Sequence, residues 1–223
     1  MIVLALDTST ARGGVAVFER DRVLSSRSWD RKGSHSEFLT AEIESCLKDA
    51  GRTVRDLERL ALGNGPGSFT GIRVAVNAAR SLAYALTIPI AVFDTTEILS
   101  AAVARRDLPV VTLVNAQKNA VFAATFVDGS RTSGPTMVEA GGLDSLLTTP
   151  HLCVGDGYVA LFPALTPTLI AKLVRDPAQS DFPSAETLGR IAWESRDTRP
   201  PLVWKDAQAL YIRASGAEEN LKA

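Results

Sequence analysis

The chain has 223 residues, 46% of them hydrophobic and 22% charged, the make-up of a globular protein large enough to bury a substantial core. Its 24 Lys and Arg against 25 Asp and Glu leave a net charge of −1, which argues against a chain that holds nucleic acid on its own. No run approaches the ~20 apolar residues of a membrane span, and the N-terminus has no basic leader segment, so the expectation is a cytoplasmic protein that keeps off membranes.

Residues 2–6 are a short run of β-formers that ends in the turn cluster Asp7-Thr8-Ser9-Thr10. Gly13-Gly14 opens a second strand over 15–18, and Asp21-Arg22 turns into a third over 23–26, so the chain begins as an antiparallel meander. Asp7 stands at the mouth of the first strand. A carboxylate there either coordinates a magnesium–nucleotide or caps the amides of the turn. Ser34 and Glu37 have the spacing of a capping box before a helix over 36–50. Leu39, Ile43, Cys46, Leu47 and Ala50 share one face of that helix, and Gly51 stops it. The two histidines, His35 and His151, have no second ligand at metal spacing and read as structural. Cys46 and Cys153 lie far apart in apolar surroundings and read as buried, reduced thiols.

After a short capped turn over 53–57 and a strand over 60–62 comes Gly63-Asn64-Gly65-Pro66-Gly67-Ser68-Phe69-Thr70-Gly71-Ile72-Arg73. Glycines at 63, 65, 67 and 71 allow tight turns and close approach by another chain or a ligand, and Ser68 or Thr70 can cap the helix that follows. Such a strand–turn–helix can cradle an anion on the first amides of the helix, and Asp7, Gly65, Gly67, Ser68 and Thr70 are the candidate nucleotide or anion site. The loop lacks the lysine of a P-loop and the acidic partner of a dinucleotide fingerprint. In the helix over 68–86, Phe69, Ile72, Val76, Ala79, Ala83 and Leu86 form an apolar seam, with Ala75, Ala78, Leu82 and Ala85 widening it. Arg73, Asn77, Arg80 and Tyr84 are its one polar stripe. An arc that wide implies packing on more than one side, either within the chain or against another subunit.

A strand over 89–93 and a helix over 95–105 close a first unit of three antiparallel strands, helix, strand, helix, strand. A trimmed copy follows: strands over 110–114 and 121–127, an Asp128-Gly129 turn, a short strand over 135–138, a short helix over 142–147, a strand over 152–154 and the turn Gly155-Asp156-Gly157. A capped helix over 184–193 and a tail from Thr198 complete the chain. The duplication points to an α/β fold of the actin-like ATPase kind, shared by sugar kinases and Hsp70. Two related lobes with mixed sheets are expected, 1–105 and a reduced 106–223, the second including the C-terminal tail.

Taken together, Leu4-Ala5-Leu6-Asp7-Thr8-Ser9, His35-Ser36-Glu37, the glycine loop and Leu210-Tyr211-Ile212-Arg213 resemble the bacterial TsaB (YeaZ) proteins in order and spacing over most of the chain. That resemblance implies a non-catalytic subunit needed for N6-threonylcarbamoylation of adenosine 37 in tRNA. It implies binding to the catalytic paralogue TsaD through first-lobe helices, with TsaE in a larger complex. In the absence of TsaD the same helices can form homodimers. The interface would then fall on Leu39, Ile43, Phe69, Ile72, Val76, Ala79, Arg80 and Ala83, and Val76→Asp or Ala79→Asp should leave the fold intact and abolish TsaD binding. TsaD holds its metal on a histidine pair at i and i+4; the aligned positions here are Thr95 and Leu99, so no catalytic residue and no metal is expected. No cofactor is implied beyond weak ATP or ADP binding, and no autonomous tRNA binding. Departures from the family are Asn115-Ala116-Gln117-Lys118 where many members carry an acidic–basic stretch, Ala75 for a glycine and Ala209 for a proline. The competing reading is a nucleotide-dependent small-molecule kinase or ATPase of the same fold.

Overall fold

The computed structural model describes residues 1–30, 35–105 and 107–212. The first sheet comprises β1 (Ile2–Asp7), β2 (Arg12–Glu19), β3 (Arg22–Asp30), β4 (Arg59–Gly63) and β5 (Ile90–Phe93) in the order β3-β2-β1-β4-β5. The second comprises β6 (Val110–Asn115), β7 (Ala120–Val127), β8 (Ser130–Glu139), β9 (His151–Val154) and β10 (Leu173–Val174). Its order, read from the opposite edge, is β8-β7-β6-β9-β10, the same arrangement a second time. In each, two antiparallel hairpins are followed by parallel additions. This is the duplicated α/β, actin-like fold expected from the repeated pattern.

Strand position follows from sequence. β1 is buried at every residue and β4 likewise, so a continuous apolar run marks a central strand covered on both faces. β3, with exposed polar positions, is an edge. β8 runs over ten residues where the sequence suggests a stub over 135–138. An edge strand has one row of amides free of ladder duty, which is why Pro135 does not stop it.

The helices α1 (His35–Asp49) and α2 (Phe69–Leu86) cover the outer face of the first sheet, packing on Leu4, Leu6, Leu60 and Leu62. Ser34, half of the expected capping box, and Arg213 lie outside the described residues. Helix α3 (Thr95–Ala102) is shorter than the expected 95–105, because Val103 turns to extended geometry and sinks into the second lobe's core. The outer face of the second sheet carries three short helices, α4 (Leu143–Leu146), α5 (Gly157–Leu161) and α6 (Pro167–Lys172). The inner faces are exchanged between lobes. Leu99 of α3, which follows the first sheet, packs on the second, whereas Ala185, Leu188 and Ala192 of α7 (Ala185–Glu194), which follows the second sheet, pack on Val3, Ala5 and Phe18 of the first. Although they follow the second sheet in sequence, α7 and the segment behind it, residues 185–212, therefore lie on the first lobe rather than with the rest of 106–223. Leu202 pairs with Ile90 at the edge of β5, and Leu210 donates its amide to Asn64 O at 2.8 Å.

The structure also corrects the side chains read as a partner interface. Leu39, Ile43, Ile72, Val76, Ala79 and Ala83 are buried in the first lobe's own core. The seam at steps of three and four is the face that meets the sheet, and an Asp at Val76 or Ala79 would be an uncompensated buried charge rather than a surface change. Phe69 and Arg80 are the two of the eight that keep partial exposure.

Candidate functional site

Two places draw together the residues singled out by sequence. The first is the cleft between the lobes. The β1–β2 turn contributes Ser9, Thr10 and Ala11, the glycine loop contributes Pro66, Gly67 and Ser68, and the β6–β7 turn contributes Asn115, Gln117 and Lys118. Asp156 closes the second-lobe side, and Phe69 and Tyr211 stand at the rim. The cavity is about 260 Å³, below the ~300–1,000 Å³ of ordinary small-molecule sites.

The glycine loop does present a capped helix start: Ser68 Oγ accepts from Gly71 N at 3.2 Å. Its glycines, however, are spent on the chain itself. A Cβ at Gly67 would lie 2.0 Å from Ser9 O, and one at Gly71 would lie 2.0 Å from Thr8 O. The close approach they allow is that of the β1–β2 turn. Ser68 N donates to Ser9 O at 2.7 Å, Thr8 Oγ1 donates to Gly71 O at 2.7 Å, and Thr95 N donates to Gly65 O at 2.7 Å. Ser9, read from sequence only as part of the turn cluster and the family motif, is the hub of this knot, accepting from Thr95 Oγ1 at 2.9 Å as well.

Asp7 is 1% exposed and does not line the cleft. Its Oδ1 accepts from Ser9 N at 3.1 Å and from Ser9 Oγ at 2.9 Å, and the backbone of Gly63 presses on it so closely that a Cβ there would fall 1.8 Å from Oδ2. Burial pushes its pKa up to about 6, against the two Ser9 hydrogen bonds, which pull it down. Of the two roles weighed for Asp7, the geometry is that of the turn cap. A magnesium–nucleotide held through Asp7 does not fit these residues, because Asp7 is sealed away from the cleft and the amides of Ser68 and Gly71 are taken by Ser9 O and Ser68 Oγ. The second-lobe carboxylate, Asp156, accepts Asn115 N at 2.9 Å; burial raises its pKa too.

The histidines are absorbed by structure. Trp29 Nε1 can only donate, so His35 Nδ1, 3.0 Å away, is the acceptor and Nε2 carries the hydrogen given to Thr10 O at 2.9 Å. His151 Nδ1 lies 2.7 Å from Thr149 O. Thr95 and Leu99 are buried on α3, the hydroxyl on Ser9 and the aliphatic in the second lobe's core. Among the described residues no group of three His, Cys, Asp or Glu is placed to hold a metal. Both cysteines are buried and unpaired, with the Cys153 thiol pushed up to about 12 by burial and that of Cys46 raised for the same reason. No described helix is long and apolar enough to cross a membrane.

The second place is a groove of about 830 Å³ on the outer surface, between α1 and α2. Ile43, Leu47, Ala78 and Leu82 form its apolar floor and sides, and Glu44, Lys48, Arg52 and Asn77 its rim. Sequence names Ala78 and Leu82 among the residues that widen the apolar arc of α2, but its alanines give no sign of which part of that arc meets the sheet. Of the residues lining the groove, Ile43 alone belongs to the set read as interface.

The family model described as "TsaD: tRNA N6-adenosine threonylcarbamoyltransferase" matches residues 28–146, just over half of the chain. The chain is 31% identical over 126 residues to the "tRNA threonylcarbamoyladenosine biosynthesis protein TsaB" of Bacillus subtilis, covering 56% of this chain and 55% of that protein. It is 39% identical over 99 residues to the protein of the same name from Buchnera aphidicola, covering 44% and 47%. The matched stretch thus spans about half the length of these relatives. A solved structure titled "an uncharacterized protein with similarity to peptidase YEAZ", from Pseudomonas aeruginosa, superposes with a TM-score of 0.78 at 23% identity, over 95% of this chain and 99% of that one.

Proposed function

The chain belongs to the TsaB/YeaZ family, and from that premise we propose that it is a non-catalytic subunit in the biosynthesis of N6-threonylcarbamoyladenosine in tRNA, docked on a catalytic TsaD subunit through the groove between α1 and α2. The observation that carries the reading is the groove itself. Helices of 15 and 18 residues bury one face in their own lobe and still leave a second, apolar one, with Ala78 and Leu82 partly exposed and a charged rim of Glu44, Lys48 and Arg52. A helix from a partner laid into such a groove would bury that floor and meet the rim, the helix-in-groove mode of recognition. The same groove on a second copy of this chain would serve a homodimer, and TsaE would join the assembly elsewhere. A role in tRNA modification goes with a cytoplasmic location. Thr95 and Leu99, where the paralogue's histidine pair would stand, support the absence of catalysis by this chain.

The test is co-purification with TsaD followed by a threonylcarbamoylation assay on tRNA. The wild-type chain should be recovered with TsaD and be required for modification. Ala78→Asp, which places a charge in the groove at a partly exposed position, should keep the wild-type melting temperature and lose most of the recovered partner. Recovery of TsaD at wild-type levels with the folded variant would remove the groove from the interface. Micromolar binding and turnover of magnesium–ATP by the isolated chain would overturn the non-catalytic reading.

A further inference from the structure

Helix α2 has a third face, outside the core and beside the groove, whose rim it shares at Asn77. Phe69, Arg73, Asn77, Arg80 and Tyr84 follow one another at steps of four, four, three and four, a line about 22 Å long. The segment behind α7 runs along this line and adds two rings to it. Arg73 lies 3.8 Å above the ring of Phe69 and 5.8 Å from that of Tyr211, and its Nε donates to Tyr211 Oη at 2.9 Å. Arg80 sits 5.6 Å from the ring of Trp204, which meets Tyr84 edge to face at 5.2 Å. These rings are not covered: Tyr84 is 68% exposed, Tyr211 43% and Trp204 39%.

Charge is distributed just as unevenly. Helix α2 contains no Asp or Glu, and neither Arg73 nor Arg80 has a carboxylate partner among the described residues. By contrast Arg12, Arg27, Arg131, Arg175 and Arg199 are each ion-paired. On this segment, the strap over 202–212, Lys205 and Asp206 cancel one another. In a chain of net charge −1 this strip holds cationic groups and π-faces together. Stacked guanidinium groups and exposed rings are what bases stack on, while the free N–H edges of the guanidinium reach phosphate. An acidic peptide would use the charges and leave the rings idle.

We propose that this arginine–aromatic strip of α2 and the C-terminal strap is a contact surface for single-stranded RNA, such as the unpaired bases of a tRNA loop. The inference deepens the proposed role in tRNA modification, on which the choice of RNA over DNA rests. With two arginines the contact is weak: it fades at physiological salt and adds to RNA that an assembly already holds.

The test is fluorescence anisotropy of the full chain with a labelled anticodon stem-loop RNA at about 50 mM and about 200 mM salt. Binding should be measurable at the lower concentration. Arg73→Gln with Arg80→Gln should weaken it about tenfold and reduce the slope of log K against log salt by about 1.5. Arg80→Gln with Tyr84→Ala, which leaves the Arg73–Tyr211 contact in place, should weaken it by a similar factor, whereas Arg55→Gln, an exposed arginine off the strip, should change nothing. Absence of binding at low salt, strip variants that bind like wild type, or stronger binding of polyglutamate than of RNA would each overturn the proposal. TsaD recovery by the same variants is read separately: if it holds while RNA binding proves absent, this inference falls alone, and if wild type fails to recover TsaD, the reading of the groove falls instead.

Discussion

The first lobe covers the outer face of its sheet with α1 and α2, 15 and 18 residues long, whereas the second covers the matching face with α4, α5 and α6, of 4, 5 and 6 residues. Both sheets have the same strand order and both close a buried core, so the short helices suffice for folding. The extra length of α1 and α2 supplies what folding does not require: a groove on one side and a polar strip on the other. The ends of the first strands show the same divergence. Asp7 Oδ1 takes back the amide of Ser9, and Asn115 Oδ1 takes back that of Gln117, at 3.1 and 2.8 Å. The turns are alike but one residue out of step. Val3 and Ala5 face the inner layer, so Asp7 does too, while Val111 and Leu113 face outward, and so does Asn115. The charged residue stands on the side where it is sealed, and the neutral one stands beside Asp156.

The largest effect expected separates the faces of α2. Ala79→Asp puts a carboxylate into a fully buried position of the first lobe's core, at a cost of about 4 kcal/mol or more, and should leave little folded protein by circular dichroism at 37 °C. Ala78→Asp, one residue on around the helix, should melt like wild type. If the two variants melt alike, the division of α2 into a core face and a groove face is wrong.

Next in size is the knot between the glycine loop and the β1–β2 turn. Gly71→Ala drives a methyl to 2.0 Å from Thr8 O, a backbone atom that cannot swing aside, so α2 or the turn must shift. A loss of about 3 kcal/mol is expected, a fall in melting temperature of roughly 10 °C for a chain of this size. Gly141→Ala in the second lobe meets nothing within 4 Å and should leave the melting temperature in place.

Much of this was legible in the residues, and the limits have physical causes. Central strands declared themselves through unbroken apolar runs such as Leu60-Ala61-Leu62, and the α7 start through Ser184, whose Oγ caps Thr187 N. Helices α5 and α6 escaped detection because Pro163 and Pro167 cut the stretch into pieces too short to show a 3.6-residue period. The sealing of Asp7 depends on Gly63, 56 positions away and brought there by β1–β4 pairing, so no local pattern encodes it. The strap and its pairing with α2 were equally out of reach, because Tyr211 and Trp204 find Arg73 and Arg80 only through the fold.

Asp7→Asn carries the comparison of the strand ends into solution, giving the first lobe the residue the second already has. With Asp7 at about 6 when folded and 3.8 as its ordinary value, the folded chain binds more protons than the unfolded one between those limits. The group therefore opposes folding above about pH 6, by up to about 3 kcal/mol, and its penalty shrinks as pH falls from 6 towards 3.8. The amide keeps an acceptor for Ser9 N and has no charge to desolvate. Asp7→Asn should raise stability to urea at pH 7.5 by about 2 kcal/mol and converge on wild type near pH 4. A variant less stable than wild type at pH 7.5 would mean that the carboxylate's hydrogen bonds to Ser9 outweigh the cost of burying its charge.

The smallest effect concerns the strap. Tyr211→Phe removes the acceptor of Arg73 Nε but keeps the ring that lies 4.9 Å from Phe69. The bond is exposed, so its loss should cost at most about 1 kcal/mol and shift the melting temperature by no more than about 3 °C. Hydrogen exchange should respond more sharply than the melt. The Leu210 amide, bonded to Asn64 O at 2.8 Å, is where the strap meets the glycine loop, and its protection should drop in Tyr211→Phe if the Arg73 contact helps hold the strap down. The second lobe has only the short α5 and α6 where the first has α2, so amides of β9 should exchange as in wild type. Equal loss of protection in both lobes would show that the strap clamps the whole molecule rather than the face of α2.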